Sequence, residues 1–88
     1  HLETLSHGQQ QRRRVGIVYS RAWQAGVTER VIEPYRLVRT GRGWEVDAGP
    51  LDPDGRPRTF LVSNMREAVL REEGFDPPPH LDRLLAEQ

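Results

Sequence analysis

Trp44, Glu45, Val46, Asp47, Ala48 and Gly49 alternate between two breaks, Gly41-Arg42-Gly43 before them and Asp52-Pro53-Asp54-Gly55 after. Period-two alternation puts one set on each face of a pleated strand. Proline presets a turn dihedral and glycine accepts positive φ, so the flanking segments read as a hairpin turn and a loop. This alternation is the firmest strand signal in the chain and marks a half-buried strand. Past the second break an apolar run, Phe60-Leu61-Val62, begins at Arg58-Thr59. A charge at the head of an apolar strand needs a reason.

The other elements can be read along the chain. Leu2 and Leu5 at i, i+3, followed by a glutamine run, predict a short helix over His1 to Gln11. Arg12 to Trp23 alternates with β-branched residues and predicts a first strand, which Gln24-Ala25-Gly26 ends. Val27 to Thr40 predicts a long second strand, bent, bulged or at an edge at Pro34, which has no N–H to donate. Arg58 to Met65 is extended. Arg66 to Phe75 fits a helix or a last strand, with propensity for helix. Pro77-Pro78-Pro79 is a stiff spacer and a boundary, after which Leu81, Leu84 and Leu85 fall at helical spacing. That last helix either covers an open end of the sheet or begins a following domain.

Four or five short antiparallel strands in 88 residues, 35% of them hydrophobic, are too few for a sandwich and predict a mainly β, strongly bent small barrel. The domain is placed at residues 1–76, with 77–88 as spacer and helix. The absence of cysteine removes disulfides, thiolate metal sites and a thiol nucleophile. No apolar run approaches the roughly 18 residues of a membrane span and no signal peptide is visible, so the reading is a cytoplasmic protein without membrane contact. The first residue is His1, and the chain is read as a piece of a longer protein.

The formal charge is zero but unevenly spread. Residues 12–42 hold eight arginines and two carboxylates, a balance of +6, whereas residues 43–88 stand at −5. All thirteen basic residues are arginine, whose planar fork grips phosphate and stacks on bases. No nucleophile with a base, no carboxylate frame and no metal spacing stands out: His1, His7, His80 and Asp82 read as surface residues, and no cofactor is implied. What remains is arginine interleaved with Tyr19, Tyr35, Trp44 and Phe60, the residue types that a ligand bearing phosphate and base would need. In a domain this small, Trp44 and Phe60 are first needed as core, Tyr19 stands between the two roles, and Arg12-Arg13-Arg14 reads more readily as a solvated charge run.

The succession RRRVGIVYSR, RVIEPYRLV, GRGWEVDA, RPRTFLVSNM and GFDPP, from Arg12 to Pro78, resembles the WYL domain of bacterial transcriptional regulators. The resemblance implies an Sm-like, SH3-type barrel of about five strands and makes Arg66 to Phe75 the closing strand. It further implies a sensor of single-stranded DNA or RNA, or of a nucleotide-derived effector, joined to a helix-turn-helix DNA-binding domain and with room for a homodimer. Its ligand-binding positions fall on Tyr19, Arg30, Arg58 and Asn64. Two positions depart from the family pattern. Glu45 replaces the middle aromatic of the name-giving triplet, and Asn64 stands where an arginine is usual, so the pocket carries one positive charge fewer and has a carboxylate nearby. On this reading Arg58 heads its strand to face a groove beside Tyr19 and Arg30. The alternative is that Arg58 pairs with Asp47 or Glu45 across the hairpin, and the domain is a non-sensory interaction module whose barrel edge and leucine helix hold a dimer or a neighbouring domain.

Overall fold

In the computed structural model, which describes residues 1–21 and 25–88, the helix α1 (Leu2–Gln11) leads into strands β1 (Arg13–Tyr19), β2 (Thr28–Thr40), β3 (Gly43–Gly49), β4 (Arg58–Leu61) and β5 (Met65–Gly74), followed by α2 (Leu81–Ala86). The expected first strand stops at Tyr19, and its proposed end at Trp23 lies outside the described residues, as does Gln24 of the expected break. All strand pairs are antiparallel, in the order β4-β3-β2-β1-β5.

The sheet curls without closing into the expected barrel. β4 and β5 are its two edges, and β4 is only four residues long before the chain enters a 3₁₀ turn, Val62–Asn64. No extended backbone is left in β4 to form a ladder with β5. The end of β1 is held to β4 and the turn that follows it through a bond from Ser20 N–H to the Asn64 carbonyl, 3.1 Å, and through the edge-to-face contact of Tyr19 with Phe60.

β2 shows why a proline can sit in a central strand. Val15 pairs with Ile32 and both are buried, so the even-numbered residues of β2 face the core at this point while Val31 faces out. A register shift between Pro34 and Arg36 then inverts the parity and brings Leu37 against the core. The bulge takes up the missing donor and lets one strand serve both halves of the sheet. Tyr35, at the bulge, packs edge-to-face on Phe75 and donates its hydroxyl to Glu33 at 2.8 Å. Burial, reinforced by this carboxylate, pushes the Tyr35 hydroxyl far above the ordinary tyrosine range. Tyr35 covers Gly49 so closely that a side chain there would overlap the phenol oxygen.

α1 closes one side of the core. Leu5 is fully buried among Val15, Ile17, Ile32 and their neighbours, and Gly8 lets the helix approach β1, since a Cβ at that position would come within 2.6 Å of Val15 Cγ2. Arg12, at φ 52°, turns the chain out of the helix, and its carbonyl accepts from Phe75 N–H. β5 is a strand despite its helical propensity, because six of its residues pair with β1, Glu67 to Leu70 in unbroken register, and Met65, Ala68 and Leu70 reach the core.

Two expectations for β3 need correction. Trp44 is not core: it is 38% exposed, paired with Arg39 near the tip of the β2–β3 hairpin, beyond the reach of the buried layer. Asp47, on the face expected to be solvated, is 4% exposed. Its carboxylate accepts from Arg36 Nε at 2.9 Å, Thr59 Oγ1 at 2.7 Å and Gln88 Nε2 at 3.4 Å, so it joins β2, β3, β4 and the residue that ends α2's segment. The C-terminal leucine helix is thus tied to β3 and β4, with Gln88 also bonded to the Pro57 carbonyl. Asp47→Ala removes the charged acceptor that joins Arg36, Thr59 and Gln88, while water can reach the exposed Thr59 and the partly exposed Arg36. We expect a loss of about 2 kcal/mol in urea unfolding. A change below about 0.5 kcal/mol, the usual range for an ordinary surface substitution, would contradict this role.

Candidate ligand cleft

Where β1 ends and β2 begins, opposite β4 and the 3₁₀ turn, the curl of the sheet leaves a cleft of about 490 Å³. Its walls are Tyr19, Ser20, Arg21, Arg30, Arg42, Arg58, Thr59, Phe60, Leu61 and Asn64. The structure therefore brings together Tyr19, Arg30, Arg58 and Asn64, the four positions singled out in the sequence, from four separate elements of the chain. Tyr35 and Trp44, the other aromatic candidates, lie elsewhere.

Each residue reaches the cleft for a local reason. Tyr19 is the last residue of β1, and strand alternation places it on the core side with Val15 and Ile17. Arg30 pairs with Ile17 and so points to the same inner side, but at the end of the sheet where the core gives way to solvent. Arg58 opens β4 opposite Ala48, and Asn64 closes the 3₁₀ turn, its backbone held by Ser20.

Among the described residues no carboxylate lines the cleft, while four guanidinium groups do. Arg42 is committed to Glu45 at 3.1 Å, and Thr40 also donates to that carboxylate at 2.7 Å. Arg21 donates to the Tyr19 hydroxyl at 3.0 Å, with its guanidinium carbon 5.7 Å from the ring centroid. Among the described residues, Arg30 and Arg58 make no ion pair. Arg58 does not bond to Asp47 or Glu45 across the hairpin, since Asp47 is held by Arg36 and Thr59, and Glu45 by Arg42 and Thr40. The carboxylate that replaces the family's middle aromatic thus neutralises Arg42 and leaves Arg58 alone.

The two aromatic walls are less available than the arginines. Tyr19 is 5% and Phe60 7% exposed, and their rings meet edge-to-face with centroids 5.3 Å apart. Neither offers an open face to a base. Such a pocket can hold anionic oxygen atoms in bidentate and charge-assisted hydrogen bonds, the interaction for which guanidinium is best suited. Arg21 and Arg42 were not among the sequence candidates. The first lies two residues beyond Tyr19, a spacing that could have signalled it, and the second lies within the hairpin turn, where only the curl of the sheet reveals it as a neighbour. Among the described residues no group of three or more His, Asp or Glu is placed to hold a metal ion, and no helix is long and apolar enough to cross a membrane.

No curated protein matches the chain closely enough to add a relative. The family model described as WYL domain matches residues 1–70, which takes in α1, the first four strands and the start of β5. The chain belongs to the WYL domain family, a family of regulatory domains found in bacterial regulators.

Proposed function

We propose that this domain is the ligand sensor of a bacterial transcriptional regulator and binds single-stranded nucleic acid or a nucleotide-derived effector in the arginine cleft. The observation that carries this reading is the set of four guanidinium groups around one cavity, only one of them neutralised by a carboxylate. Arg30 and Arg58 are the primary anion contacts, Tyr19 shapes the floor, and Asn64 is a neutral hydrogen-bonding position at the rim. Because Tyr19 and Phe60 are buried edge-on, recognition rests on phosphate more than on base stacking, and binding is tolerant of sequence. The ligand acts by favouring one arrangement of an attached helix-turn-helix domain over another, a shift of populations. A regulator of this kind works in the cytoplasm, on DNA. The competing reading, an interaction module without a ligand, would be favoured by a substantial apolar patch around the Leu81, Leu84 and Leu85 helix with Arg58 tied up in a salt bridge, and Arg58 makes none among the described residues.

The test is a titration of fluorescent single-stranded homopolymers, followed by anisotropy at two salt concentrations, with Arg58→Ala alongside. Binding that weakens with salt and drops at least about tenfold in the variant is the expected result, since a charge-assisted contact is worth more than about 1.4 kcal/mol. Competition by inorganic triphosphate or a mononucleotide separates a small effector from a strand. No binding of oligonucleotide, nucleotide or triphosphate at low salt would sink the proposal.

A further inference from the structure

Arg42 reaches the cleft from the turn at the tip of the β2–β3 hairpin, and its side chain is 68% exposed. A long side chain in such a place samples many rotamers, and a ligand that has to fix it loses affinity to the ordering. Here the domain does the ordering. Arg42 N–H donates to Thr40 Oγ1 at 3.1 Å, and at the far end of the side chain Nε donates to Glu45 Oε2 at 3.2 Å, with Nη2 3.1 Å from the same oxygen. The Thr40 hydroxyl donates to that oxygen too, at 2.7 Å, so one residue ties the backbone of Arg42 to the acceptor of its guanidinium. Glu45 is itself fixed: it is paired with Val38 and Leu61 within the sheet, and its side chain is 13% exposed. Leu61 and Arg42 line the cleft, and the carboxylate stands behind that wall and not in it.

The pairing is side-on. A guanidinium carries five N–H donors in a flat fork, and Glu45 takes up only the Nε side of it. Nη1 has no acceptor among the described residues, and neither has the N–H of Nη2 that points away from Glu45. What remains open is the end of the fork, the part that grips two oxygen atoms of a phosphate at once. A carboxylate beside an anion site is expected to weaken it through its charge. Charge acting across an open cleft is screened by water and salt, however, whereas the direction in which a guanidinium is held is not.

We infer that Glu45 is a positioning residue that strengthens anion binding, by holding the Arg42 guanidinium in the cleft wall with the open end of its fork toward the ligand. The inference rests on the reading of the cleft as a phosphate site and fixes the sign of the Glu45 effect: the carboxylate raises the affinity for a phosphate-bearing strand and does not oppose it. Thr40 belongs to the same device, since its hydroxyl sets both the turn and the carboxylate.

A double-mutant cycle read by anisotropy with fluorescent single-stranded homopolymers at low salt tests it, with urea unfolding to confirm that each variant folds. Glu45→Met keeps the length of the side chain and removes charge and acceptor together, while the Thr40 hydroxyl keeps the Gly43 carbonyl, 3.3 Å away, to donate to. The affinity is expected to fall about three- to tenfold, because the ligand now has to order one rotamer-rich side chain. Glu45→Gln, which retains an acceptor oxygen without the charge, recovers most of that loss. Arg42→Ala weakens binding at least as much as Glu45→Met, and adding Glu45→Met to Arg42→Ala lowers the affinity no further. Tighter binding by Glu45→Met, a Glu45→Gln variant no stronger than Glu45→Met, or a Glu45→Met loss that persists in the Arg42→Ala background would each overturn the inference, even where Arg58→Ala still loses binding and the cleft reading stands. A wild-type chain that binds no strand removes the cleft reading and this inference with it.

Discussion

Leu5→Ala lowers the unfolding free energy by about 2–5 kcal/mol, as cavity-forming leucine substitutions do in well-packed cores. Leu5 is completely buried, and it is the only side chain of α1 in the central cluster with Val15, Ile17 and Ile32. The loss is at the high end because the site cannot collapse: Gly8 already rests against Val15 and Pro34, so the helix has no room to settle deeper on one side of the gap. A domain of this size has a total stability of about 5–15 kcal/mol, so the variant gives up a large share of it. Urea unfolding followed by both helical and aromatic signals makes the measurement. Leu5→Met, which fills nearly the same volume, costs less than about 1.5 kcal/mol. If Leu5→Ala fell within that same small range, α1 would be an appendage and not part of the core.

The strands with clear alternation were legible because their neighbours in sequence are also their neighbours in space. Val46 and Ala48 are buried as the period-two pattern predicts, and the bulge expected from Pro34 sits between Pro34 and Arg36. Sequence reasoning was weaker wherever burial is decided by a distant segment. Asp47 is covered because Arg36, Thr59 and Gln88 converge on it, and no local pattern announces that convergence. Trp44 carries the most apolar side chain of its strand and still lies at the margin, because the hairpin outruns the core. In the segment from Met65 to Gly74, propensity pointed to a helix and only the family resemblance pointed to a strand. Pairing with β1 decides it, a long-range term that composition does not contain. The closed barrel failed for a similar reason, since the sequence could not tell that β4 ends at Leu61 and gives way at once to a 3₁₀ turn. Of the cleft, the resemblance supplied four positions from distant parts of the chain. Arg21 joins them through its closeness to Tyr19 in sequence and Arg42 only because the sheet curls, and the role of Glu45 as the partner of Arg42 could not be told from its being a carboxylate near a pocket.

Reversing one charge in the cleft and adding one should move oligonucleotide binding in opposite directions. Arg58→Glu replaces an unpaired guanidinium by a carboxylate in a cleft whose walls hold no other acid, so a phosphate contact becomes a repulsion. The affinity at low salt is expected to fall at least about a hundredfold, twice the free energy expected for simple truncation to alanine, because an attraction is lost and a repulsion gained. Asn64→Arg places a guanidinium at the rim, on a residue that is exposed and whose side chain makes no hydrogen bond among the described residues, so the fold has nothing to lose. Here the affinity should rise about three- to tenfold at low salt, as for one added phosphate contact. The salt dependence separates a true phosphate contact from a change of shape. For single strands each neutralised phosphate contributes about 0.7 to the slope of log K against log salt. Asn64→Arg should steepen the slope by about that amount and Arg58→Glu should flatten it by at least as much. Affinities that change while both slopes stay at the wild-type value would mean that the substitutions act through the shape of the cleft, and the anion would have to be held somewhere other than between Arg30, Arg58 and the rim at Asn64.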